Sequence, residues 1–118
     1  TGIDDPTMLA LLKNGFNIPE LIQLLENINT NALRTMPYDQ IAYLDQDKYM
    51  EFISNNNSAG IFNFFELIYT DKNESTYKHQ MKNSNLNYKT WRTYQMSDHL
   101  PMWVEFNVDF SHNYLINK

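Results

Sequence analysis

Residues 102–108 alternate without interruption, with Met102, Val104, Phe106 and Val108 on one side and Trp103, Glu105 and Asn107 on the other. A period of two is that of a strand with one face turned to a core. Residues 38–44 read as a second strand through Ile41, Tyr43 and Leu44, and residues 49–53 and 90–95 as two more. The first part of the chain has another rhythm. Asp5 before Pro6 is an N-cap followed by proline at the first helical position, and Met8, Leu9, Leu11 and Leu12 supply an apolar stripe that Gly15 ends. Pro19 opens a second helix carrying Leu21, Ile22, Leu24 and Leu25. With helices and strands both expected, the chain reads as α+β.

Between these elements, residues 27–37 are polar and turn-rich, and Asn55, Asn56, Asn57 and Ser58 form a turn closed by Gly60. Residues 61–69 hold Phe62, Phe64, Phe65, Leu67 and Ile68, and Glu66 interrupts their alternation, which favours a helix. A helix around 76–82 is expected inside the charged, Asn-rich stretch 71–87, and the tail 111–118 is expected to fray. No repeat or second domain boundary interrupts the 118 residues, so residues 1–118 read as one unit.

Composition removes several classes of function. There is no cysteine, which excludes a disulfide framework, thiolate zinc sites and a Cys nucleophile. Nine Lys and Arg against fourteen Asp and Glu leave a net charge of −5. That is unsuited to a simple basic DNA-binding module but compatible with an enzyme whose cation supplies the positive charge. No apolar run reaches the roughly 20 residues of a membrane span, and no signal peptide is visible. The chain opens on Thr1, as a processed chain or a fragment would.

One segment points to chemistry. Ser97-Asp98-His99-Leu100-Pro101 lies in a short break ahead of the alternating strand. Pro101 suits the first position of that strand because it has no amide to donate, and it holds Leu100 extended. Asp98 and His99 are thereby placed at a strand-end rim.

This segment with Met102-Trp103-Val104-Glu105-Phe106 after it resembles the C-terminal signature of the endonuclease/exonuclease/phosphatase superfamily, the deoxyribonuclease-I-like enzymes. Tyr38-Asp39-Gln40-Ile41 resembles the strand that supplies another acid in that family. Asn31-Ala32-Leu33-Arg34 and Trp91-Arg92 fit its bacterial branch. The resemblance covers most of the chain but only the C-terminal half of the family's domain. It implies part of a four-layer α/β sandwich with a mainly antiparallel sheet, and a magnesium-dependent phosphoesterase, most simply a nuclease. The same fold also serves small phosphate esters and lipids, or a non-catalytic interaction domain.

In the roles the resemblance implies, His99 is the general base that activates water, and Asp39 bonds the other ring nitrogen to fix the tautomer. Asp98 helps bind a Mg2+ ion. Asp39 and His99 stand 60 positions apart, so only tertiary folding can pair them. The family's metal-binding Glu, its mid-domain Asp or Tyr plus His, and its Asp-x-Asn motif are not recognisable here. The chain is therefore expected to be inactive alone, with its principal Mg2+ ligands upstream. It is also expected to leave an apolar sheet face that a second copy could cover. Nucleic acid or another phosphoester is the expected partner.

The remaining candidates divide between chemistry and structure. Asp4 and Asp5 could be metal ligands but suit helix capping better. His79 and His112 read as surface residues. Trp91, Tyr94 and Trp103 could stack on bases or pack, and Arg92 could meet a phosphate or form a salt bridge.

Overall fold

The computed structural model describes residues 4–45, 50–53, 55, 57–108 and 111–116. Thr1-Gly2-Ile3, Tyr49 at the start of an expected strand, Asn56 in the expected turn, Phe110 and the side chain of His112 lie outside that description.

The first helix, α1, runs Pro6–Lys13 as the capping signals predict. The Asp5 carboxylate accepts from the Thr7 amide at 2.9 Å, and Gly15 leaves the helix at φ +87°, a conformation that favours glycine. Capping is therefore the work of Asp5. The backbone hydrogen bond from Thr7 holds its carboxyl below the usual carboxylate value. A depressed pKa contributes stability above the unfolded-state value and loses it as pH falls through the folded one. Acidification is thus expected to shift the Thr7 and Met8 amide resonances with an acidic midpoint that Asp5→Asn, which still caps, abolishes. An unchanged midpoint in that variant would remove the assignment. Helix α2 is a single turn, Glu20–Gln23, with Ile22 buried.

Four strands follow among the described residues: β1 Met50–Phe52, β2 Ala59–Ile61, β3 Met102–Val104 and β4 Phe106–Val108. They form two antiparallel pairs. Ala59 faces Val104 and Ile61 faces Met102, whereas Met50 faces Val108 and Phe52 faces Phe106. The expected single strand 102–108 is therefore two, divided at Glu105. At the break the Glu105 amide donates to the Ser58 carbonyl at 2.7 Å, just ahead of β2. Trp103 lies across Gly60, where an added Cβ would stand only 3.0 Å from the indole nitrogen. The small residue makes room for the ring.

Other expectations are corrected. Residues 90–95 are not a strand but part of helix α4, Tyr88–Gln95, capped by the Asn87 side chain on the Thr90 amide at 2.9 Å. Its buried residues, Tyr88, Trp91 and Arg92, keep helical spacing, and this face outweighs the strand propensity of Thr90, Trp91, Thr93 and Tyr94. Residues 38–44 form no strand. The Asp39 amide goes to a side chain, and the stretch makes one isolated bridge, Tyr43 with Asn17. Residues 61–69 end β2 and then make one 3-10 turn, Phe64–Glu66. Helix α3 is a single turn, Glu74–Tyr77, following a 3-10 turn at Asp71–Asn73. Helix α5, Ser111–Ile116, occupies the tail expected to fray.

The architecture is α+β with two small antiparallel sheets. Phe64, Phe65 and Leu100 form the central cluster, with Ala32, Ile61 and Tyr69 against it. Beside it Trp91 packs on Tyr69, Tyr77 and Tyr88. Arg92 joins the two groups, 4.3 Å above the Phe65 ring, donating to the Tyr69 carbonyl and pairing with Asp71 at 2.8 Å. No helix among the described residues is long and apolar enough to cross a membrane.

Candidate active site

The site begins with the polar segment 27–37, which is a loop as its composition requires. Asn31 holds it closed: its side-chain oxygen accepts from the Thr35 and Met36 amides at 2.7 and 2.8 Å. Such Asx bonding lets a short polar stretch keep a fixed shape without a sheet. Residues 98–100 dock along this loop. The Ala32 amide donates to the Asp98 carbonyl at 2.7 Å, the Leu100 amide to the Thr30 carbonyl at 2.6 Å, and Asn31 forms an antiparallel bridge with His99. Leu100, 1% exposed, inserts into the Phe64–Phe65 cluster and anchors the segment from below. His99 is thus fixed by backbone bonds on both sides, immediately ahead of β3.

The His99 ring meets Asp39. Nδ1 lies 2.8 Å from Asp39 Oδ2, across the 60 positions that separate them in sequence. An ionised carboxylate only accepts, so Nδ1 carries the hydrogen and the neutral ring keeps its lone pair on Nε2. Tyr38 stacks against the imidazole with ring centroids 5.5 Å apart and planes 26° from parallel. The side chains of His99 and Asp39 are 44% and 41% exposed, so the pair lies within reach of water. Oriented imidazole, carboxylate partner and open Nε2 together form a base that can accept a proton from water.

Asp98 is exposed and lines a neighbouring cleft of about 180 Å³ with Asn31, Leu33, Tyr38, Lys89 and Thr93. Among the described residues no group of three or more His, Cys, Asp or Glu side chains could hold a metal ion. Asp98 therefore supplies one carboxylate rather than a cation site, and the residues present do not by themselves fit Mg2+.

Arg92, Trp91 and Trp103 are structural. Arg92 is buried in its ion pair with Asp71, and Trp91 is buried in the aromatic cluster. Trp103 covers Gly60, and His79 is exposed. Tyr94 is 75% exposed, away from the central core cluster. Sequence reasoning placed Asp39 and His99 but assigned nothing to Thr30, and it used Tyr38 only as part of a motif. A lone threonine in a polar loop carries no periodicity that could have marked it.

No family model, curated protein or solved structure matches this chain.

Proposed function

We propose that this chain is the C-terminal part of a phosphoesterase domain, acting on phosphodiesters with nucleic acid as the leading substrate class. The observation that carries the reading is the His99–Asp39 hydrogen bond, together with the resemblance of both flanking motifs to the deoxyribonuclease-I-like enzymes. In the reaction, Nε2 of His99 takes a proton from water as the water oxygen forms a bond to phosphorus. The ester oxygen–phosphorus bond breaks, and the departing oxygen receives a proton in turn. Asp39 keeps the ring in the productive tautomer and stabilises the imidazolium while it holds the extra proton. Mg2+ belongs to this proposal only through ligands contributed from outside the described residues, with Asp98 as the carboxylate that this chain would add to them.

Surface accounting supports a partial domain. The chain exposes 8751 Å², whereas a compact monomer of its mass exposes about 6,700 Å². Its radius of gyration is 19.3 Å, against about 13.5 Å for a compact chain of this length. Seventeen large hydrophobic residues among those described are exposed and seven are buried, so much apolar surface remains to be covered. The rest of the domain covers it in this reading. A second copy covering the same face is what the isolated chain would show.

The experiment is hydrolysis of bis-para-nitrophenyl phosphate in the presence of magnesium. The isolated chain is expected to give no turnover, and the complete domain turnover that needs His99. Full activity in a His99→Ala domain overturns the hydrolase reading, and robust His99-dependent turnover by the isolated chain overturns the partial-domain reading.

A further inference from the structure

Thr30 is fully buried, at 0% exposure, in a loop where most neighbours are wet. A hydroxyl withdrawn from water must find a protein partner, because leaving it or its neighbour unpaired is costly. Its Oγ1 accepts the Asp39 amide at 2.9 Å. Its main chain is engaged as well: the amide donates to the Met36 carbonyl at 3.0 Å, and the carbonyl accepts from Leu100 at 2.6 Å. One residue therefore holds the segment carrying the carboxylate through its side chain and the segment carrying the imidazole through its backbone.

We propose that Thr30 is the positioning residue of the Asp39–His99 pair, and that its hydroxyl keeps His99 in the tautomer with hydrogen on Nδ1. Among the described residues, the isolated Tyr43–Asn17 bridge is the one strand-like pairing of residues 38–44, four positions from Asp39, so no ladder fixes the height of Asp39. The Thr30 hydroxyl does so instead. It sets the Asp39 Cα, and the carboxylate then falls 2.8 Å from Nδ1. A valine fills the same volume but offers no acceptor, so the Asp39 amide loses its partner and the carboxylate is free to drift. The catalytic value of this arrangement rests on the hydrolase reading above. The positioning does not, because it can be read on the ring itself.

The test uses isotope-labelled histidine in this chain and imidazole nitrogen NMR at alkaline pH, where the ring is neutral. The unmodified chain and Thr30→Ser are expected to show His99 with hydrogen on Nδ1 alone. Thr30→Val is expected to lose that single tautomer and approach the mixture shown by exposed His79, with Asp39→Ala as the reference for an unpaired ring. If Thr30→Val does not fold, Thr30→Ser and Thr30→Ala decide, since they differ only in the hydroxyl. The Nδ1–H tautomer persisting in folded Thr30→Val, or equally in Thr30→Ser and Thr30→Ala, overturns the proposal. So does its absence from the unmodified chain. Failure here leaves the hydrolase reading standing, and an active His99→Ala domain would sink that reading without touching the tautomer result.

Discussion

On the proposed phosphoesterase function, Asp39→Asn in the complete domain is expected to lower phosphodiester turnover by about 10²–10⁴-fold, the range for losing an oriented general base. The fold should survive. Asp39 reaches Thr30 through its main-chain amide, which the substitution keeps, and its carboxylate is half exposed. What changes is the partner offered to Nδ1. If the asparagine turns its amide nitrogen toward the ring, Nδ1 must accept, the hydrogen moves to Nε2, and the base is gone. If it turns its oxygen, the tautomer is kept, but no negative charge stabilises the imidazolium. Both outcomes reduce kcat more than KM, because the loss falls on the step in which charge develops. Asp39→Asn added to His99→Ala is expected to cost little more than His99→Ala alone, since the two act as one unit. Full additivity of the two losses in the assay would show that they act independently and would remove the dyad from the mechanism.

The elements with a local chemical cause were legible in the sequence. Asp5-Pro6 and Gly15 bound α1 because capping and a positive φ are decided within a few residues. The Asn-rich loop before Pro37 was legible for the same reason. Helix α4 was not, because Thr90, Trp91, Thr93 and Tyr94 are residue types that favour strands. The signals that outweigh them are the Asn87 cap and the burial of Tyr88, Trp91 and Arg92 against the Tyr69–Tyr77 side of the molecule. The 38–44 stretch has strand-forming residues but no strand to pair with among those described, and propensity alone does not make a ladder. The juxtaposition of Asp39 and His99 was legible only through motif resemblance, since no period links positions 60 apart. Thr30 was invisible because its role depends on where Leu100 and Asp39 arrive.

Leu100→Ala is expected to cost about 2–5 kcal/mol of folding stability, the largest stability effect among these substitutions. The side chain is 1% exposed and packs with Phe64 and Phe65, so truncation leaves a cavity whose aromatic walls cannot easily close. Domains are commonly stable by only about 5–15 kcal/mol, and a chain with so much surface uncovered belongs at the low end of that range. The loss is therefore a large share of the total. It also falls beside the site, because Leu100 follows His99 and its amide secures the segment to Thr30. Urea denaturation is the measurement, with Leu67→Ala as the control, since Leu67 is 70% exposed and its truncation should stay within about 0.5 kcal/mol. A well-separated pair of midpoints, with disorder of the His99 resonances appearing first in Leu100→Ala, is the expected result. Coincident midpoints would mean that the apolar cluster under the strand-end rim does not hold His99 in place, and the rigidity argued for the dyad would lose its foundation.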